Sequence, residues 1–332
     1  MPARGAAAAL AIIQLMPPLM LHHYDLSPFS EKVRLMFGLK GLAWQSVIIP
    51  DVLPKPDYLA LTGGYRRTPS LQIGADVYCD TRLIAEVLER RVPQPTLFPG
   101  GRPGPHHVVE QWAETDLFWP CALAVTGANA DALPPAFHAD RAAMRGRPPP
   151  AAARVRQVGE AAHRSVTLSL REVEAMLVAD EDFLLGHAPG LADLAVYHAL
   201  WFLDRFPRPL LEAFAPSPAL RDWLARIAAL GHGTRTELGA ADAIAIARAS
   251  TPAGGDTSCV DFASGTRVSI APDARTSAPV VGEVVACSVD EIAIRHVDAR
   301  AGIVHVHFPR AGYRITREDG CSWRPAVLGV PP

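Results

Sequence analysis

Three short runs combine polar side chains with breaks in regular structure, the kind of place where a chain can hold a small polar ligand. Ser27-Pro28-Phe29-Ser30 stands between a strand-like run, Leu19 to Leu26, and a stretch with Val33, Met36, Phe37 and Lys40 at helical spacing. Either serine can cap that helix, and Glu31 suits its first turn. A hydroxyl at a helix N-terminus can also donate to an anion such as a bound thiolate, because the dipole favours negative charge there. Thr68-Pro69 precedes a short strand, Ser70 to Ile73. Cis peptide bonds are almost confined to X-Pro, and a cis bond here would leave the Thr68 N–H and C=O as an edge for an extended peptide. A trans proline opening an edge strand is the alternative. Asp80-Thr81 opens another helix, where the N-terminus and the Thr81 hydroxyl suit a carboxylate and Asp80 suits an ammonium. A plain Asp cap is the simpler reading. Arg67 is built for carboxylate recognition, Arg66 competes with it, and an exposed, solvated arginine is an equally good reading.

The elements that must position these residues follow in order. A strand, a helix and a second strand from Trp44 to Ile49 make a β-α-β unit, hence a parallel pair. Pro50 to Tyr65 reads as irregular. Two short strands, Ser70–Ile73 and Val77–Cys79, then lead into a helix from Asp80-Thr81 to about Glu89. This is a thioredoxin-like order. Pro93 to Pro105 is a Pro/Gly linker. Beyond it the pattern is helical: Val108–Ala124, a Pro-rich interruption over 132–150, Ala151–Val178, Leu191–Phe206, Pro218–Leu230 and Ala240–Ala249. After a second linker, Thr251–Thr257, short strands are expected at Val260–Phe262, Arg267–Ile270, Gly282–Ala286, Glu291–His296, Ile303–Phe308 and Tyr313–Thr316.

The expected architecture is therefore multi-domain. It has an N-terminal extension (1–18), a thioredoxin-like α/β domain (19–93), an all-α domain (94–250) and a small antiparallel β-barrel-like module (258–320). Arg4 and the apolar run Ala6–Leu15 loosely resemble an export signal, but no clean cleavage site follows, and an untidy extension with Met16 or Met20 as the start fits better.

The 332 residues include 49% hydrophobic and 20% charged residues, enough for a large core. A net charge of −2 argues against nucleic-acid binding. No apolar run reaches the ~20 residues of a membrane span. Proline is the unusual number, 31 of 332, nearly twice the usual ~5%, which suits a modular chain with many breaks. The five cysteines contain no C-x-x-C pair, so neither a disulfide framework nor a Cys-rich zinc module is expected, and a reducing compartment fits best. His305-Val306-His307 places two histidines on one strand face, with His296 as a possible third ligand. No acidic partner stands at set spacing, so the pair reads as a half-exposed strand face and no metal is expected.

The run Tyr24-Asp25-Leu26-Ser27-Pro28-Phe29-Ser30-Glu31-Lys32-Val33-Arg34, with Thr68-Pro69 and Asp80-Thr81-Arg82-Leu83-Ile84 in order behind it, resembles the cytosolic glutathione transferases of the serine type. The resemblance spans about residues 19–250. It implies glutathione as co-substrate, with Ser27 stabilising its thiolate and Thr68, beside a cis Pro69, pairing with the cysteinyl backbone. Asp80 and Thr81 would hold the γ-glutamyl group and Arg67 the glycyl carboxylate. A hydrogen bond to a charged group is worth roughly 1.5–3 kcal/mol, or about one to two pKa units, enough to ionise much of a thiol near neutral pH. A serine in place of a cysteine favours conjugation, isomerisation or reductive displacement over disulfide exchange, for which only Cys79 could serve. A small hydrophobic electrophile would bind between the domains near Phe29, Trp112, Asp116, Phe118 and Trp119, unless these are simply packed core. The resemblance also implies a cytoplasmic homodimer engaged in detoxification. Two departures stand out. Gly63-Gly64 replaces an Asn-Pro, and Gly190-Leu191-Ala192-Asp193 replaces a Ser/Thr-x-x-Asp capping box, leaving Asp193 to cap backwards. The competing reading is a non-catalytic binding or scaffold protein that works through the β-module.

Overall fold

The computed structural model describes residues 17–177, 180–255, 258, 261–273, 278–318 and 322–323. The expected N-terminal extension lies outside them except for Pro17 and Pro18. The first apolar run is β1 (Met20–His23), buried throughout. Ser27 Oγ accepts from the Ser30 N–H at 3.2 Å and Pro28 occupies the first turn, which starts α1 (Pro28–Leu39). β2 (Ala43–Ile48) runs parallel to β1. α2 (Pro56–Thr62) then occupies part of the stretch read as irregular. Pro56 at the first helical position loses no hydrogen bond there, and Gly63, at φ 63°, closes the helix in the left-handed region. β3 (Ser70–Ile73) and β4 (Asp76–Cys79) form a hairpin, and α3 (Thr81–Arg91) buries Leu83, Ile84, Val87 and Leu88.

α4 (Pro103–Trp112) passes through a π turn into α5 (Phe118–Ala128). The Pro-rich interruption holds another helix begun by proline, α6 (Pro135–Ala143). α7 (Ala152–Met176), α8 (Leu191–Phe202) and α9 (Pro218–Ala228) complete the helical layer. Its core is continuous with the buried faces of α1 and α3. The chain then returns to the first domain. β5 (Thr234–Glu237) pairs parallel to β2, and α10 (Ala240–Ala249) packs Ala243 against Met20 and Val47. The end of the span read as all-helical thus completes the first sheet. β5 is exposed at every position, so no alternation marks it in the sequence.

The C-terminal region forms β6 (Arg267–Pro272), β7 (Val280–Cys287), β8 (Glu291–Asp298), β9 (Gly302–Pro309), β10 (Tyr313–Arg317) and β11 (Ser322–Trp323). Of the strand expected at Val260–Phe262, Val260 lies outside the described residues and Asp261-Phe262 form a bend. The described strands pair antiparallel within the module as expected, and β9 also pairs parallel with β4. One eleven-stranded sheet results, in the order β11-β10-β6-β7-β8-β9-β4-β3-β1-β2-β5. The module covers what would otherwise be a bare β4 edge. It shares a core with Leu61, Tyr65, Val77 and Cys79 of the first domain. Cys79 and Cys121 are free and buried, while Cys287 is disulfide-bonded, a cross-link that the cysteine spacing does not signal. No described helix is long and apolar enough to cross a membrane.

Candidate functional site

Strand register brings the three polar motifs to one end of the sheet. β1 and β3 are antiparallel with His22 opposite Ser70, and β3 and β4 are antiparallel with Ser70 opposite Cys79. The end of β1, the start of β3 and the end of β4 therefore lie side by side. Ser27, Thr68-Pro69 and Asp80-Thr81 are the residues just beyond these ends. Thr68-Pro69 is cis. Asp80 has φ 77°, and its Oδ1 accepts from the Arg82 N–H at 3.0 Å to begin α3. Two helix N-termini, of α1 and α3, thus open on the same place and favour anions there.

Around Ser27 the structure adds residues that local sequence patterns do not mark. The Tyr24 hydroxyl lies near Ser27 and accepts from Arg141 Nη2 at 3.3 Å. Burial raises its pKa, so it remains a neutral donor. Ser30, the alternative serine, is buried, and its Oγ has no partner among the described residues. Lys55 Nζ donates to Thr68 Oγ1 at 3.3 Å and sits 5.9 Å from the Tyr24 and Tyr58 rings. Burial, then the Arg141 charge, lowers the Lys55 pKa to about 8. The two arginines before Thr68 separate. Both Nε atoms are buried without a partner among the described residues, but only Arg66 is held in an ion pair, with Asp140. Asp140 also accepts from the Leu53 N–H at 3.2 Å, and Arg141 Nη1 donates to the Asp51 carbonyl at 3.1 Å. α6 thereby covers the loop beside Thr68.

Thr81 accepts from the fully buried Lys32 Nζ at 3.2 Å. Lys32 also donates to Glu110 at 2.5 Å and to Glu114 at 2.6 Å. Burial disfavours charge on both carboxylates. The Lys32 charge outweighs it at Glu110, which stays ionised. At Glu114 burial, with Glu110 alongside, pushes the pKa up. Asp80 Oδ2 accepts from the Tyr313 hydroxyl at 3.1 Å, and that hydroxyl lies 3.1 Å from that of Tyr65. The C-terminal module thus touches the same end of the sheet.

The aromatic set is only partly assembled. Phe29 meets Phe118 at 4.8 Å and His198 at 4.9 Å, at the boundary between the domains. Trp112 packs against the same core while half-buried. Asp116 and Trp119 are exposed. Two cavities, one beside Trp44 and Arg91 and one beside Pro99 and His106, include none of the three motifs. Ser27 and Thr81 are buried, while Arg67, Thr68 and Asp80 are partly exposed.

The start of α8 shows how the missing cap is replaced. Asp193 Oδ2 accepts from the Gly190 N–H at 3.0 Å, and Oδ1 accepts from Leu184 N and Trp223 Nε1, each at 2.9 Å. His106 Nδ1 accepts from the Ala192 N–H at 3.3 Å, taking the place of a cap hydroxyl. Burial lowers the His106 pKa, which keeps the ring neutral and able to accept. A Cβ on Gly190 would collide with His106 and stand 2.8 Å from Pro99 Cδ, so the glycine makes room for the histidine.

Comparisons with known proteins bear on the family and the fold. Family models for the glutathione S-transferase N-terminal and C-terminal domains match residues 21–96 and 129–230. A GST-like protein from Pseudomonas syringae is 38% identical, with a TM-score of 0.74, covering 91% of this chain and 100% of its own. A glutathione transferase from Phanerochaete chrysosporium, 19% identical with a TM-score of 0.53, covers 65% of this chain and 98% of its own. The first match covers more of this chain than the second. No curated protein matches the chain.

Proposed function

This chain belongs to the glutathione S-transferase family, and on that premise we propose that it binds glutathione and activates the thiol for attack on a small hydrophobic electrophile. One observation carries the reading: Ser27, Thr68 beside cis Pro69, and Asp80-Thr81 converge where the N-termini of α1 and α3 open at one sheet end. The cysteinyl backbone pairs with Thr68. The Ser27 hydroxyl, with the neutral Tyr24 hydroxyl nearby, donates to the sulfur and favours the thiolate. The thiol proton leaves to solvent. The sulfur lone pair forms the new S–C bond, and the electrophile's leaving group departs with its bonding electrons, or the electrons pass to an acceptor atom in an addition. The γ-glutamyl carboxylate takes the α3 N-terminus and Thr81, with the Lys32 charge behind them. The ammonium faces Asp80 and Glu114. Arg67, free of the pairing that holds Arg66, takes the glycyl carboxylate with Lys55. The electrophile site is placed by Phe29 and the half-buried Trp112, with Asp116 and Trp119 on its outer rim. A cytoplasmic homodimer with a detoxifying role belongs to the same reading, on the strength of the family alone, and the Cys287 cross-link is the observation that sits least easily with a reducing compartment.

A second reading, a non-catalytic binding or scaffold protein, is favoured by a specific observation. Asp80 and Thr81 already have internal partners in Tyr313 and Lys32. Calorimetric titration of the full chain with glutathione, followed by turnover of an electrophilic chloroarene, separates the two. Binding with turnover supports the enzyme, whereas no binding, or binding without turnover, contradicts it and supports the second reading.

A further inference from the structure

β9 meets β4 with His305 opposite Asp76 and His307 opposite Tyr78, so these four side chains share one face of the sheet. β8 brings Glu291 to the same face, since Ala293 stands opposite His307. The ligand-type atoms of Asp76, His305 and His307 all lie within 4.8 Å of one another. Asp76 Oδ1 is 3.0 Å from His307 Nε2 and 3.9 Å from His305 Nδ1. A tetrahedral ion with bonds of about 2.0–2.2 Å keeps its ligand atoms about 3.3–3.6 Å apart, and the two observed spacings bracket that. Glu291 Oε1 lies 2.6 Å from His307 Nδ1, the arrangement in which a carboxylate orients a metal-binding imidazole from behind. Asp76 is held as well, its Oδ2 accepting from the Ala253 N–H at 2.8 Å.

We propose that Asp76, His305 and His307 form a zinc site at the seam between the first domain and the C-terminal strands, with Glu291 positioning His307. Two imidazoles and one carboxylate suit a borderline divalent ion of the zinc type rather than calcium or magnesium, which take oxygen ligands. His305 is only partly buried, which leaves access for the ion and for a fourth, exchangeable ligand. The competing occupant is a proton, which makes His307 an imidazolium donating to Asp76 and Glu291. On binding, zinc displaces the proton from His307 Nε2. His305 shifts its own from Nδ1, now 3.2 Å from the Ala253 carbonyl, to Nε2. The ligands come from β4 and β9, so the ion would fasten the module to the domain that carries the motif end. The proposal does not depend on the glutathione reading.

The test uses the full chain incubated with zinc chloride and passed through gel filtration. Bound metal is measured by atomic emission, and thermal midpoints are compared with zinc and after a chelator. The expected result is about one zinc per chain and a midpoint raised by zinc through mass action, with both effects lost in His305→Gln. The partly exposed His305 leaves the metal-free midpoint of that variant close to the parent's. Glu291→Gln should weaken zinc affinity about 10–100-fold. No retained zinc and an unchanged midpoint in the parent would overturn the site and leave a proton between the carboxylates. Equal zinc retention in His305→Gln would also overturn it, because the metal would then lie elsewhere.

Discussion

Lys55 is a lysine whose charge is conditional, because burial and Arg141 hold its pKa near 8. A glycyl carboxylate beside it favours the charged form, so affinity for S-methylglutathione, which has no ionisable thiol, should fall as pH rises through about 8. The fall should be smaller in Lys55→Gln, by isothermal calorimetry, and equal falls would remove Lys55 from the site. Stability of the unliganded chain carries the opposite sign. The unfolded lysine, at 10.5, binds protons that the folded one at about 8 has lost, so stability rises between those values. Chemical denaturation at pH 8 and pH 10 should show that rise in the parent and less of it in Lys55→Gln. The contrast between the two kinds of residue at this end of the sheet is instructive. Ser27, Thr68-Pro69 and Asp80-Thr81 are legible in the sequence because each is a local break between elements. Tyr24, Lys55 and Arg141 are not, because their significance comes from contacts across long stretches of chain, such as Tyr24 with Arg141.

At the scale of elements, α8 is the most informative. Its N-terminus is capped by Asp193 from within and by His106 from α4. Removing a cap acceptor costs about 1 kcal/mol, so His106→Ala should lower stability by about that much. Asp193→Ala removes three hydrogen bonds to a buried carboxylate and should cost about 3 kcal/mol or more. Urea denaturation gives both values, and an Asp193→Ala loss no larger than that of His106→Ala would contradict this account of the cap. The long periodic helices, such as α7 and α9, can be read from apolar spacing. α2 and α6 cannot, because each is short and begins at a proline inside a Pro-rich run. Proline at a first helical position looks like any other break until its partners are known.

For the whole molecule, the β4 edge organises the C-terminal third of the chain. The module shares its core with Leu61, Val77 and Cys79, so removing residues 251–332 would bare both an apolar face and a strand edge. The truncated chain should aggregate or bind hydrophobic dye, and a soluble truncation with an unchanged thermal midpoint would contradict the shared core. The strands of the module are visible in the sequence, but their docking is not. Asp76 and His307 lie far apart in the chain, and only the parallel β4–β9 register brings them together. The same distance explains why His305-Val306-His307 reads locally as a face without an acidic partner. His296, named in the sequence as a candidate third ligand, contacts the Ala60 carbonyl at 3.1 Å.

The central claim is that Ser27 holds a glutathione thiolate, and its most direct measurement is the pKa of the bound thiol, followed by thiolate absorbance during pH titration of the saturated protein. The parent should show a pKa well below the free-thiol value of about 8.5. Ser27→Ala, which loses a helix-cap contact of about 1 kcal/mol and remains folded, should show it raised by about one to two units with glutathione still bound. An unchanged thiol pKa in Ser27→Ala would contradict the account.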